Sequence, residues 1–294
     1  MNLRLKIIFL LAFLYSSCSS DSAEPEDQDF IDQLTSTGVK AINGNISIWY
    51  PMDSLSVTRA KEIVDSLALG VWLERTLINA PLTWQQFPEG SITYFLVPGN
   101  FVSHTTEKNE ILIPLWRMRE SKGPWLHESA HILLRSERGN WNEASRENTM
   151  QNRPLWLAEG LADYIAFKVS DVNHFPVFDI QRSGGLLKVD STCKERLNSE
   201  KGELTLNYIG KKGVMMELFG KERREYAPIF YACSCSFVNF LSGKYGLDNV
   251  ITANSEFEKE HESLAKLTGK SVEKLKEEWL DFIDQSKQKK LGQK

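Results

Sequence analysis

The sequence predicts an α+β protein: a small mixed sheet with helices forming an N-terminal lobe, then a mainly helical C-terminal lobe. Three observations predict it. Short β-branched and aromatic runs lie between residues 46 and 115, helical spacing of apolar residues takes over after Pro124, and Gly and Pro punctuate the boundaries. A chain of 294 residues with 41% hydrophobic content can fill a sizeable core, which excludes a disordered or low-complexity polymer.

The chain opens with the three-part layout of a secretory signal over residues 1–17. Arg4 and Lys6 precede a continuous apolar run from Ile7 to Tyr15, and Ser16-Ser17 supplies small residues before Cys18. This predicts export. The run falls short of the roughly 20 apolar residues that span a bilayer, and no later stretch approaches that length, so no transmembrane helix is expected. Residues 18–35, polar at their start (SSDSAEPEDQ), are expected to be a flexible tether. The segment around Cys18 resembles the lipobox of bacterial lipoproteins. That resemblance implies a lipid on Cys18 and a bacterial cell-envelope location, at the outer membrane or surface; Tyr15 departs from the usual aliphatic residue, and cleavage near Ser17 with release is the alternative.

Residues 36–286 are expected to form the folded domain, in lobes of about 36–135 and 136–286. Ile46–Tyr50 alternates as a strand does. Val57–Leu77 carries Ile63, Val64, Leu67 and Val71 at helical spacing, with Val57 and Trp72 assigned to the same apolar face. Ile92–Val97 and Ile111–Ile113 read as neighbouring strands, and Pro114 places the second near a sheet edge. Pro124 suits a helix start, so a helix is expected from Trp125 to Arg135. The polar stretch 136–153 reads as a long loop, after which Pro154 opens a second helix over Leu155–Val169, apolar nearly all round. Further helices are expected over Ile229–Tyr245 and Val272–Ile283, and residues 287–294 as a Lys-rich solvated tail.

Charge narrows the partners. Thirty-five basic against 39 acidic residues, intermixed, provide no footprint for a nucleic-acid backbone, so no nucleic acid is expected. No basic patch is available to hold the chain to a membrane either, which leaves that task to the lipid. Beyond Cys18 there are three cysteines. Cys193 can bridge to Cys233 or to Cys235, although small buried thiols are the preferred reading. Cys233 and Cys235 lie two apart on a helix, point to different faces and are poorly placed to share a metal. His104 and His261 stand in polar surroundings and are expected at the surface.

The chemistry concentrates in two helices. His127-Glu128-Ser129-Ala130-His131 is an H-E-x-x-H pentapeptide, which sets two imidazoles one turn apart on one helix face, a two-point grip on zinc. Glu128 lies about 100° round the helix from His127, beside the metal position, where a carboxylate can take a proton from the attacking water. On the next helix Glu159 and Asp163 lie four apart in a greasy sequence. Burying two carboxylates is costly unless a cation and strong donors meet them. Zinc for Glu159 and an imidazole N–H for Asp163 would satisfy both, and Gly160 would let this helix approach the first.

HESAH, followed 28 residues after His131 by Glu159 in WLAEGLADY, resembles the gluzincin metallopeptidases, the thermolysin-type superfamily, and within it the peptidase MA-like branch. YACSCSFVNFLSGKYG (Tyr231–Gly246) and LTGKS before the Trp279 helix are similar to later parts of that fold. The resemblance covers roughly residues 90 to 284. It implies a zincin-like fold, one zinc per chain held by His127, His131 and Glu159, Glu128 as general base, and Asp163 holding a ligand histidine. It also implies an oxyanion donor downstream, Tyr231 first, with Tyr226, Tyr208 and His174 as further candidates. A substrate-pairing edge strand is implied at Glu110, Ile111, Leu112, Ile113, Pro114 and Leu115. The implied activity is hydrolysis of peptide or protein substrates, endopeptidase rather than aminopeptidase because no Gly-rich acidic motif precedes HESAH. The competing reading is a catalytically silent surface lipoprotein of the same fold that binds peptides or other envelope partners.

Overall fold

A computed structural model describes residues 25–79, 91–106, 108–136, 154–173, 185–213, 215–218, 220–256 and 259–291. The expectations for the signal, Cys18, most of the loop 136–153 and His174 lie outside them. The chain is α+β, with one five-stranded mixed sheet and many helices. It divides into two compact units, the first holding the described residues up to 136, the second those from 154 to 172 and from 185 onward.

In the first unit the strands are β1 (Val39–Asn43), β2 (Ile46–Tyr50), β3 (Ile92–Val97), β4 (His104–Thr105) and β5 (Glu110–Pro114), in the order β1-β2-β3-β5-β4. The three central strands run parallel, and both outer strands pair antiparallel. Central strands covered on both faces should be apolar throughout, and Tyr94, Phe95, Leu96, Val97, Ile111, Leu112 and Ile113 are all buried. Helix α1 (Pro25–Thr37) covers one face, where Ile31 and Leu34 join Phe95, Val97 and Leu112. Residues 25–35 are thus helix, which corrects the expectation of a tether there. The apolar side chains of Phe30, Ile31 and Leu34 explain the difference, because at this spacing they make one docking face.

Helix α2 (Val57–Leu77) is started by Ser56, whose side chain accepts from the Arg59 N–H. It buries Ala60, Ile63, Val64, Leu67, Gly70, Val71 and Glu74, while Val57 and Trp72 remain exposed, contrary to the sequence reading. A short helix α3 (Leu115–Arg119) follows β5, and α4 (Trp125–Ser136) packs against both α2 and the sheet.

The second unit is helical: α5 (Leu155–Asn173), α6 (Leu186–Leu197), α7 (Glu200–Leu206), α8 (Arg223–Tyr245), α9 (Leu247–Ser255), α10 (Glu260–Thr268) and α11 (Val272–Leu291). Helix α11 continues through most of the stretch expected to be tail. The core follows α8, against which the other helices are set by three devices. Cys193 of α6 and Cys233 of α8 form a disulfide, which corrects the preferred reading of these two as buried thiols, while Cys235 is buried outside the bridge. The rings of Trp156, Phe237 and Trp279 stack in a column, 4.7 and 5.0 Å between successive centroids. The Trp279 Nε1 donates to Ser236 Oγ at 3.0 Å, and Ser236 Oγ donates to Asp190 at 2.7 Å, linking α11, α8 and α6. Burial raises the Asp190 carboxyl, with the Ser236 and Asn239 bonds opposing. Among the described residues no helix is long and apolar enough to cross a membrane.

Candidate metal centre

His127, Glu128 and His131 all lie on α4. Pro124, which has no N–H to leave unpaired, precedes the first turn, and its carbonyl accepts from the Glu128 N–H at 3.0 Å. One turn of helix separates the imidazoles, and the two Nε2 atoms are 3.0 Å apart with ring planes at 86°. Two neutral imidazoles cannot aim bare lone pairs at each other across that distance; the pair accommodates either one shared proton or a cation. His127 and Glu128 are buried, and His131 is half-buried.

Glu159 and Asp163 lie on α5, 1% and 3% exposed, and that extent of burial is itself a chemical demand on their surroundings. Among the described residues, His127, His131 and Glu159 form a group able to hold a metal ion, one ligand atom of each lying within 4.8 Å of the others. Two imidazole nitrogens and a carboxylate oxygen make a donor set that suits zinc with a fourth position open. The residues present therefore fit the ion that the sequence motif implies.

Gly160 is a point of close helix contact within the second unit. A Cβ there would stand 2.5 Å from the Ser234 carbonyl oxygen, so the missing side chain lets α5 rest on the backbone of α8. Tyr231 lies on α8 one turn before Ser234, half-buried and edge-on to Phe230. Tyr226 is buried near Glu222, Glu217 and Glu200; burial and then those charges raise its phenol, surroundings that oppose a developing anion. Tyr208 is half-buried.

The strand Glu110–Pro114 is not the free edge that the sequence reading assumes. Strand β4 pairs with it at Ile111 and Leu112, the Thr106 N–H reaches the Glu110 carbonyl, and Leu115 belongs to α3. The pairing partner is only two residues long, too short to show as an alternating run in the sequence.

Two groups escaped the sequence reading. His104, expected at the surface, is 8% exposed, with Nε2 2.9 Å from the Asp27 carboxylate and Nδ1 2.9 Å from the Val102 carbonyl. Both partners are acceptors, so the ring satisfies them together only as imidazolium. Burial pushes its pKa down, but Asp27, the Val102 carbonyl and the charge of Glu128 together outweigh that and the net shift is upward. Glu74 is fully buried on α2, and Ser129 Oγ, from the middle of HESAH, lies 2.5 Å from its carboxylate. Burial raises Glu74 well above the usual carboxylate range, against the opposing effects of Ser129 and His127. The only sequence signal for Glu74 was its position four residues after Gly70 on the buried stripe of α2.

In comparison with known proteins, no family model matches the chain, and no curated protein matches it either.

Proposed function

We propose that this chain is a zinc-dependent peptidase of the gluzincin kind, acting on peptide or protein substrates at the bacterial cell envelope and anchored there by a lipid on Cys18. The observation that carries the reading is the His127, His131 and Glu159 group in the setting of an H-E-x-x-H helix. The zincin-like arrangement and endopeptidase specificity belong to the same proposal.

When bound, zinc supplies a Lewis acid that polarises the scissile carbonyl and acidifies the attacking water. His127 and His131 contribute neutral nitrogens, and Glu159 contributes charge to the donor set. Glu128, buried on the same helix, takes the proton from the water and delivers it to the leaving amine. Asp163 accepts an imidazole N–H and so holds that ring in the tautomer that leaves the other nitrogen free to bind. Tyr231 is the first candidate to donate to the developing oxyanion.

The test is metal content by elemental mass spectrometry on the purified protein and on Glu159→Ala, followed by a peptide-library digest with Glu128→Gln as control. One zinc per chain, lost in Glu159→Ala, with cleavage abolished in a Glu128→Gln protein that still holds zinc, is the expected result. A folded wild type that takes up no zinc would end this reading.

A further inference from the structure

We infer that Glu74 is a positioning residue for the paired imidazoles, fixing through Ser129 the rotation of helix α4 about its own axis. The inference rests on the peptidase reading only for the identity of what the imidazoles hold.

Two of the contacts between helices α2 and α4 bear on the orientation of α4. At Gly70 an added Cβ would come within 2.5 Å of the Trp125 ring and 2.8 Å of the Leu126 side chain, so these α4 side chains lie directly on the backbone of α2. One turn further along both helices, Glu74 meets Ser129. The first contact is steric and tolerates sliding of a flat ring. The second is directional, because a hydrogen bond weakens steeply when its angle is lost. Two contacts four residues apart on each partner set both the translation and the rotation of α4.

The chemistry of the second contact makes it selective. Ser129 Oγ also lies 3.0 Å from the Trp125 carbonyl and 3.1 Å from that of Leu126. One hydroxyl proton cannot serve a carboxylate and those carbonyls together. The bond from Ser129 Oγ to Glu74 Oε2 is the shortest of the three and is the one made between the two helices. Tyr94 of β3, also fully buried, lies within electrostatic reach of Glu74, in surroundings poor in water. Leaving such a group unbonded is costly, which gives the core a reason to hold one rotation of α4.

Ser129 stands two residues from each imidazole, about 200° round the helix, so the polar contact is on the back of the face that carries them. Side-chain atoms at about 6 Å from the axis move by about 2 Å for a rotation of about 20°. Metal ligands tolerate about 0.2 Å. A small loss of rotational definition at Ser129 is therefore felt at His127 and His131.

The experiment measures zinc affinity by chelator competition, and thermal stability of the metal-free protein, for wild type, Glu74→Ala, Glu74→Gln, Ser129→Ala and the Glu74→Ala/Ser129→Ala pair. Glu74→Ala and Ser129→Ala should each weaken zinc at least tenfold, the pair no more than the stronger single change, and Glu74→Gln should restore affinity to within threefold of wild type. A Glu74→Ala protein that melts earlier yet binds zinc within twofold of wild type overturns the inference and leaves the peptidase reading intact. Should Glu74→Ala fail to fold, Ser129→Ala decides: unchanged affinity there overturns the inference equally. A wild type that binds no zinc overturns both.

Discussion

Helices α4 and α5 each carry a pair of chemistry-bearing residues four apart, yet the two units secure them by different physics. Helix α4 lies on a sheet and meets α2 through a glycine contact plus a buried polar bond, Glu74 to Ser129. Helix α5 lies on other helices. It is set by Gly160 against the Ser234 carbonyl and by Trp156 in a ring column, in a core also tied by the Cys193–Cys233 bridge. A sheet face is broad and slippery, so a directional contact is needed to choose one rotation. Two helices in backbone contact already interlock, and rigid rings with a crosslink can do the rest.

The largest way to break this comparison is to remove the crosslink. The bridge closes a loop across a sequence separation of 40, which constrains the unfolded chain by about 4 kcal/mol. Cys193→Ser should therefore shift the urea midpoint of the second unit markedly while leaving the first unit's exchange protection unchanged; an unshifted midpoint would show that the bridge is dispensable.

The two glycines provide the sharper contrast. Gly160→Ala drives a methyl into a backbone carbonyl and should cost up to about 3 kcal/mol, whereas Gly70→Ala meets an indole that can shift and should cost less. Equal or reversed losses in parallel melts would reject the distinction between rigid and yielding contacts.

In the first unit the next effect is pH-dependent. His104→Gln removes a bond between charged partners, worth about 2 kcal/mol where both are ionised. Because the folded His104 pKa is raised, that stability is fully present below the unfolded value of about 6.5 and is lost as pH rises through the folded value. The difference in melting temperature between wild type and His104→Gln should accordingly shrink as pH is raised above neutrality. A constant difference would mean the ring is held without its charge. The smallest effect belongs to Asn239→Ala, which deletes the half-buried amide's long bonds to Asp190, 3.4 and 3.5 Å, at about 1 kcal/mol in a chemical-denaturation series.

How much of this was legible in the sequence follows the range of each signal. The strands at 46–50, 92–97 and 111–113 and the helices from 57, 125, 155, 229 and 272 were readable because burial on one or both faces imposes a period along the chain, although the fourth of these helices begins earlier, at Arg223. HESAH was readable because its geometry is local to one helical turn. The rest depended on partners distant in sequence. Strand β4 is too short to have a period, and it alone changes β5 from an edge to an interior strand at Ile111 and Leu112. His104 reads as polar-surface histidine until Asp27 is brought to it from 77 residues away. Residues 25–35 read as tether because the acids around Phe30 mask a docking face that only the sheet reveals.

The amino-acid order alone determined the α+β composition, the placement of His127, Glu128 and His131 on one helix, and the pairing of Glu159 with Asp163 on another. Helical periodicity acts over three or four residues, so neighbours suffice to specify it. Tertiary structure decided which cysteine bridges Cys193, which backbone Gly160 lies against, and that a carboxyl group is buried behind the HESAH helix. Those outcomes depend on packing at contact distance between segments tens of residues apart, and no local pattern encodes which of several compatible partners arrives first and fits.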